Sequence, residues 1–265
     1  MSLTQQTKDT KPMLSVRNVS VAFGGVVALN GVSFDVPAES ILGLIGPNGA
    51  GKTTLFNCLS RLYQPNGGDI LMSGASILRW PPHRTAEIGI GRTFQNVALF
   101  ANMTVRDNVR VGAHVRSKGN MWGDALRLPS STRTQSEIDR KVVEILEYLE
   151  LVRVADQRVS SLPFGTQKRV ELARALAADP ALLLLDEPAG GLNHEEVFAL
   201  GDLIRRIRKD RALAILLVEH HIGLVMSLAD RVVALNFGRK LAEGTPSEVQ
   251  TNPDVIEAYL GSRPL

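Results

Sequence analysis

The stretch SILGLIGPNGAGKTTLFNCLSRL, residues 40–62, constrains this chain more than any other part of it. Its continuous apolar run, residues 40–46, reads as a buried strand that ends in glycine. From about Gly51 onward, Leu55, Leu59 and Leu62 recur at helical spacing. Between strand and helix stands GPNGAGKT, residues 46–53, a full match to G-x-x-x-x-G-K-[ST] in the context that motif requires. Glycines there let successive N–H groups point inward at an anion, and the helix N-terminus adds its dipole. Gly46, Pro47, Asn48, Gly49, Ala50, Gly51, Lys52, Thr53 and Thr54 are therefore the expected phosphate cradle. Lys52 has the reach to meet the outer phosphates, and Thr53 offers a hydroxyl to Mg²⁺.

A nucleoside triphosphate site also needs a carboxylate on the metal side. LLLLDEP, residues 182–188, supplies one: four leucines make a buried strand and Asp186 ends it, at the sheet edge where ligands bind. Glu187 follows at once, placed to orient an attacking water. His220 comes at the end of LAILLVE, residues 213–219, so a third strand end delivers a polar side chain to the same edge. A contact to the outermost phosphate is expected of it. His221 reads as a helix start or surface residue, and His83, His114 and His194 as surface residues.

The chain has 265 residues, room for one large domain or one with a sizeable subdomain. Residues 14–36 alternate apolar and polar, as antiparallel strands do. Further on, strands that are apolar throughout alternate with helices, which indicates a parallel sheet covered on both faces. Residues 136–151 carry an amphipathic stripe of Ile138, Val142, Ile145 and Leu149, while 116–136 reads as a long loop or weak helix. The expected fold is α/β, with a mostly parallel sheet, an N-terminal antiparallel β-subdomain and a helical subdomain inserted at about 95–178. Residues 1–12 read as a disordered tail, with 13–265 as one domain.

Cys58 is the single cysteine, which excludes an intrachain disulfide and a cysteine metal cluster. A net charge of +3 is too weak to indicate nucleic acid as a partner. The polar N-terminus lacks a signal peptide's apolar core, and no apolar run approaches the roughly 18 residues of a membrane span. A soluble protein, peripheral to something membrane-bound, is expected.

The segment SLPFGTQKRVELARAL, residues 161–176, sets a Pro-Phe-Gly turn against a helix with Lys168 and Arg169 near its start. Cations there oppose the macrodipole. A triphosphate's field or an acidic partner surface would offset that cost. Solvation on an exposed face is the equally weighted alternative.

A phosphate loop alone also suits a kinase, a GTPase or a motor. The whole series, in its order GPNGAGKT, GRTFQN, the Pro-Phe-Gly turn, LLLLDEP, AGGLN and a strand-end histidine, resembles the ATP-binding cassette (ABC) family over residues 13–262. That resemblance implies that Phe23 stacks on adenine, and that Gln95 senses Mg²⁺ and water and also meets a membrane subunit. It implies that Glu187 is the catalytic glutamate and His220 the switch histidine. Asp186, Thr53 and Gln95 then serve the metal, and Lys52 stabilises the transferred phosphoryl. Gly165 and Thr166 align with the signature turn that binds ATP across a dimer, although Pro163 replaces its serine. AGGLN ends in Asn193 where the family has aspartate, and His221 and His194 are further departures.

TFQNVALFANMTVRDNV, VEHHIGLVMSLADRV and NPDVIEAYLG resemble one importer branch, the ATPase subunits of branched-chain (hydrophobic) amino acid uptake systems. What this implies is ATP and Mg²⁺ as cofactors and a second ATPase subunit, identical or paralogous. It further implies two transmembrane permease subunits, a periplasmic or extracellular solute-binding protein, and a place at the cytoplasmic face of the membrane. Trp122 and its neighbouring arginines mark 116–136 either as a solvated loop or as a contact with those membrane subunits or lipid head groups. Amide or urea uptake, export, lipid transport and a non-transport ABC ATPase remain the alternatives.

Overall fold

A computed structural model of the chain describes residues 11–93, 98–115 and 129–260, the side chains of 129–134 excepted. Gln95, Trp122 with residues 116–128, and most of the expected tail lie outside the described residues.

Six strands form the main sheet in the order β10 (Arg239–Gly244), β9 (Arg231–Asn236), β3 (Ile41–Ile45), β8 (Ala214–Val218), β7 (Leu182–Asp186) and β6 (Ile90–Arg92). All its pairings are parallel except β9 with β10. Parallel strands need crossovers, and the helices that make them cover the sheet faces. The side chains divide accordingly. Ile41, Ile45, Leu183, Leu185, Ile215 and Leu217 face one core; Leu42, Leu44, Leu182, Leu184, Leu216 and Val218 face the other.

The first core takes its helical side from α2 (Val105–His114), α3 (Pro129–Tyr148), α4 (Phe164–Ala177), α5 (His194–Arg211) and α6 (Ile222–Leu228). The second is closed by α1 (Lys52–Leu59) and an antiparallel sheet in the order β2 (Val26–Val36), β1 (Leu14–Phe23), β4 (Gly67–Met72), β5 (Ala75–Ser76). Two short helices, α7 (Pro246–Gln250) and α8 (Pro253–Leu260), finish the described chain beside β10. Among the described residues no helix is long and apolar enough to cross a membrane.

Register decides where the loops emerge. Leu44 pairs with Val218, and Val218 with Asp186, so β3, β7 and β8 end level with one another. The loops after them therefore open on one edge, as in other open α/β sheets.

Several sequence expectations change. The helix expected at 136–151 runs from Pro129 to Tyr148. Proline suits a first helical position, and the buried stripe from Ile138 supports the extra turns that serine and threonine alone would not. The helix stops at Glu150, which takes a left-handed φ of 59° while the Leu151 N–H reaches the Leu146 carbonyl. Glycine usually marks such an ending, so the sequence hid it. Leu62 lies beyond α1 and is exposed, because Arg61 turns left-handed first. The edge strand β6 gave no sequence signal, being only Ile-Gly-Arg.

At Gly112, α2 approaches α4 so closely that an added Cβ would strike the Arg174 carbonyl oxygen. Gly112→Ala should therefore destabilise the chain by about 1–3 kcal/mol. Thermal unfolding measures this, and an unchanged midpoint would show that the helices part freely.

Candidate active site

The loop after β3 is shaped by backbone geometry before any side chain matters. Gly46 has φ of 153°, and a Cβ there would strike the Leu235 carbonyl oxygen. Gly51 is left-handed, with Ala28 and Leu29 packed where a side chain would go. Only glycine satisfies both conditions. The Gly238 N–H donates to the Ala50 carbonyl and the Asn30 N–H to the Gly238 carbonyl, so the β9–β10 turn braces the loop. Helix α1 then starts without a side-chain cap and without an acidic residue in its first turn. Its first N–H groups thus face a cleft of about 340 Å³, lined by Val26, Val27, Ala28, residues 48–54, Glu187 and His220.

Lys52 is 6% exposed. Its ammonium donates to the loop's own carbonyls, 2.6 Å to Gly46 and 3.0 Å to Pro47. Burial pushes its pKa below the usual lysine range, while the carboxylates of Glu187 and Asp186 pull it back up. The side chain expected to reach outer phosphates is here folded onto the loop.

Asp186, 3% exposed at the end of β7, is held by Arg92 of β6 at 2.8 Å. The same guanidinium donates to Asn57 Oδ1 and Ser60 Oγ at the end of α1. Burial raises the Asp186 carboxyl above the ordinary carboxylate range, and Arg92 counters that. Glu187 takes a left-handed φ of 49°, rare for a side chain of its size. Its N–H donates to the Val218 carbonyl. That turn sends its carboxylate up into the cleft, where Oε1 lies 2.6 Å from His220 Nε2. The two strand ends thus meet directly. His221 is the residue before α6, its carbonyl accepting from Leu224, which fits the expected helix start.

The Pro-Phe-Gly turn lies elsewhere. Pro163, Gly165, Thr166 and Lys168 line a second cleft of about 610 Å³, with Leu192, Glu195 and Glu196 opposite. Helix α4 already begins at Phe164, so Lys168 falls in its second turn. Lys168 is 7% exposed, its ammonium 5.6 Å from the Phe164 ring centroid, and its field also reaches Asp186. It is therefore a buried, ring-covered cation and not a solvated one. Arg169 does remain near solvent, 3.8 Å from Glu150. Phe23 is 48% exposed and meets Tyr63 edge-on, ring centroids 5.2 Å apart. Its hairpin partner Val26 lines the first cleft, while Phe23 itself is not among the lining residues.

The ABC transporter family profile matches residues 29–190. The chain belongs to the ABC transporter family. It is an ATP-binding, ATP-hydrolysing cassette of that family. A second profile, that of branched-chain amino acid ATP-binding cassette transporters, matches residues 239–263. The high-affinity branched-chain amino acid transport ATP-binding protein LivG of Escherichia coli (strain K12) is 43% identical, over 95% of this chain and 99% of LivG. The ADP conformation of the cassette MJ1267 superposes with a TM-score of 0.81 at 27% identity, over 96% of this chain and all of that one. A dimeric bacterial ABC transporter cassette, MJ0796, gives 0.74 at 25% identity, over 88% of this chain and 99% of that one.

Within this cassette, sequence reasoning missed the residues that hold the expected ones. Arg92 had no signal, since GRTFQN drew attention to Gln95, three positions on. Tyr63 and Glu219 were likewise passed over as site residues, although Glu219 was visible as an acid ending an apolar strand. Removing one partner of a buried ion pair costs about 3–5 kcal/mol. Arg92→Ala should therefore lower the thermal midpoint, and adding Asp186→Asn should recover part of the loss. Equal midpoints for the single and double variants would show that the pair is not what holds β6 to β7.

Proposed function

We propose that this cassette is the ATPase subunit of a multi-subunit importer for branched-chain or other hydrophobic amino acids. In that reading it works in a pair on two transmembrane permeases, at the cytoplasmic face of the membrane, with an external solute-binding protein. The observation that carries this is the C-terminal segment. Residues 239–263, which fit the branched-chain profile, include all of β10, α7 and α8, beyond the catalytic core that ABC proteins share. The full-length likeness to LivG supports the same assignment. Residues at about 95–178 are read as its inserted helical subdomain.

The chemistry rests on this chain's own groups. The N–H groups of residues 48–54 and the start of α1 would cradle the triphosphate, and Phe23, paired with the cleft-lining Val26, would stack on the base. Thr53, which lines the cleft, and Asp186, whose charge acts on Lys52, would offer hard oxygen donors. A hydroxyl and a carboxylate suit Mg²⁺, which keeps waters and phosphate oxygens as its remaining ligands. When bound, that ion would neutralise charge on the transferred phosphoryl. Glu187 would orient the attacking water and His220 would hold the outer phosphate, each already in the other's reach. Lys52 would exchange its loop carbonyls for phosphate oxygens. Gly165, Thr166 and the α4 N-terminus would meet the ATP of the second subunit.

Replacing a positioned general base typically costs about 10²–10⁴-fold in rate. Glu187→Gln should lower turnover by that amount and retain ATP-driven pairing in the presence of the membrane subunits. A variant that stays unpaired with ATP would sink the two-subunit site. Gly165→Asp should abolish coupled hydrolysis and spare ATP binding at 46–54; full activity would remove the turn from the site. Affinity capture from solubilised membranes tests the transport reading, where recovery of ribosomes or DNA in place of two hydrophobic permeases overturns it.

A further inference from the structure

We propose that Glu219 is a positioning residue that locks His220 and Glu187 into one arrangement and ties both to the AGGLN turn. This deepens the proposed ATPase site and rests on that reading of Glu187 and His220.

Glu219 follows the all-apolar strand β8 and is 2% exposed. A carboxylate so placed is costly unless its oxygens are hydrogen-bonded. Its partners are backbone amides from two separate loops. Oε1 accepts from the Ala189 N–H at 2.6 Å, and Oε2 from the His220 N–H at 3.1 Å. Burial pushes the Glu219 pKa above the usual carboxylate range, and the backbone N–H groups of Ala189, His221 and His220 pull it back down. Charge-assisted bonds of this kind are roughly twice as strong as neutral ones.

These bonds close a ring. Ala189 opens the turn 189–193, in which Gly190 donates to the Glu187 carbonyl and Leu192 to that of Ala189. From Ala189 the ring passes through the Glu219 carboxylate to the His220 backbone. It then runs along the imidazole to Glu187 Oε1 at 2.6 Å, and back along the chain to Ala189. Glu187 sits in this ring with its left-handed backbone, a conformation that persists only where the surroundings over-determine it. Leu192, at the far side of the turn, lines the second cleft together with Gly165. Movement of the turn against Gly165 therefore reaches His220 through one buried carboxylate.

The isosteric Glu219→Gln variant keeps one acceptor and turns an NH₂ group toward an N–H donor. In the purified full-length chain it should lower kcat for ATP hydrolysis at least tenfold, leave the KM for ATP within about twofold, and leave a cooperative thermal transition. The deciding measurement is a double-variant cycle. If Glu219 acts through His220, Glu219→Gln should cost little further kcat in a His220→Ala background. Independent, multiplying losses would overturn the proposal, as would an unchanged kcat in the single variant. Should the Gln variant fail to unfold cooperatively, the cycle is read with Glu219→Asp, which keeps the charge. Loss of the transition in both makes Glu219 structural and also overturns it. Normal hydrolysis by His220→Ala and Glu187→Gln would instead refute the underlying site reading.

Discussion

Everything at the site depends on one constraint, the level ending of β3, β7 and β8 in a parallel ladder. Because both faces of that ladder are buried, each strand is apolar up to its final residue and cannot slip without moving leucines from one core to the other. The register is thus fixed by packing far from the chemistry. It is this register that lets the loop at 48–54, Glu187 and His220 share a cleft although they are far apart in the chain, with Asp186 buried just beneath Glu187.

Crowding polar groups at a buried edge creates an electrostatic problem, and the structure meets it three ways. Asp186 is given a guanidinium, Glu219 is given backbone N–H groups, and Lys52 is given carbonyls. Two of these arrangements reach across elements: Arg92 joins β6, β7 and α1, while Glu219 joins the loops after β7 and β8. The groups that neutralise the buried charges are therefore also the groups that couple the elements. Lys168 belongs to the same economy, since a cation in the second turn of α4 is covered by Phe164 and acts on Asp186.

Legibility in the sequence followed the range of the physics. The phosphate loop could be read because its glycines answer to local backbone needs, Gly46 with φ of 153° and Gly51 with φ of 101°. The apolar strands could be read because burial on two faces leaves no polar position. The stripe Ile138, Val142, Ile145 and Leu149 is buried as its spacing required. What escaped were features without a local signature. Strand β6 is three residues long, and α3 ends on a left-handed Glu150 in place of glycine. Lys168, which the sequence leaves open between solvation and a facing phosphate, is covered by Phe164, because the two lie one helical turn apart.

The sequence by itself determined which chemistry is present: a phosphate cradle, a strand-end carboxylate pair and a strand-end histidine. Each is a short motif whose function follows from residue type and the immediate backbone. Tertiary structure alone decided how these groups are held. It paired Arg92 with Asp186, set His220 against Glu187, bound Glu219 between two loops, and put Gly165 in a cleft of its own. Those distances come from packing between elements remote in the chain, and no local pattern of residues encodes them.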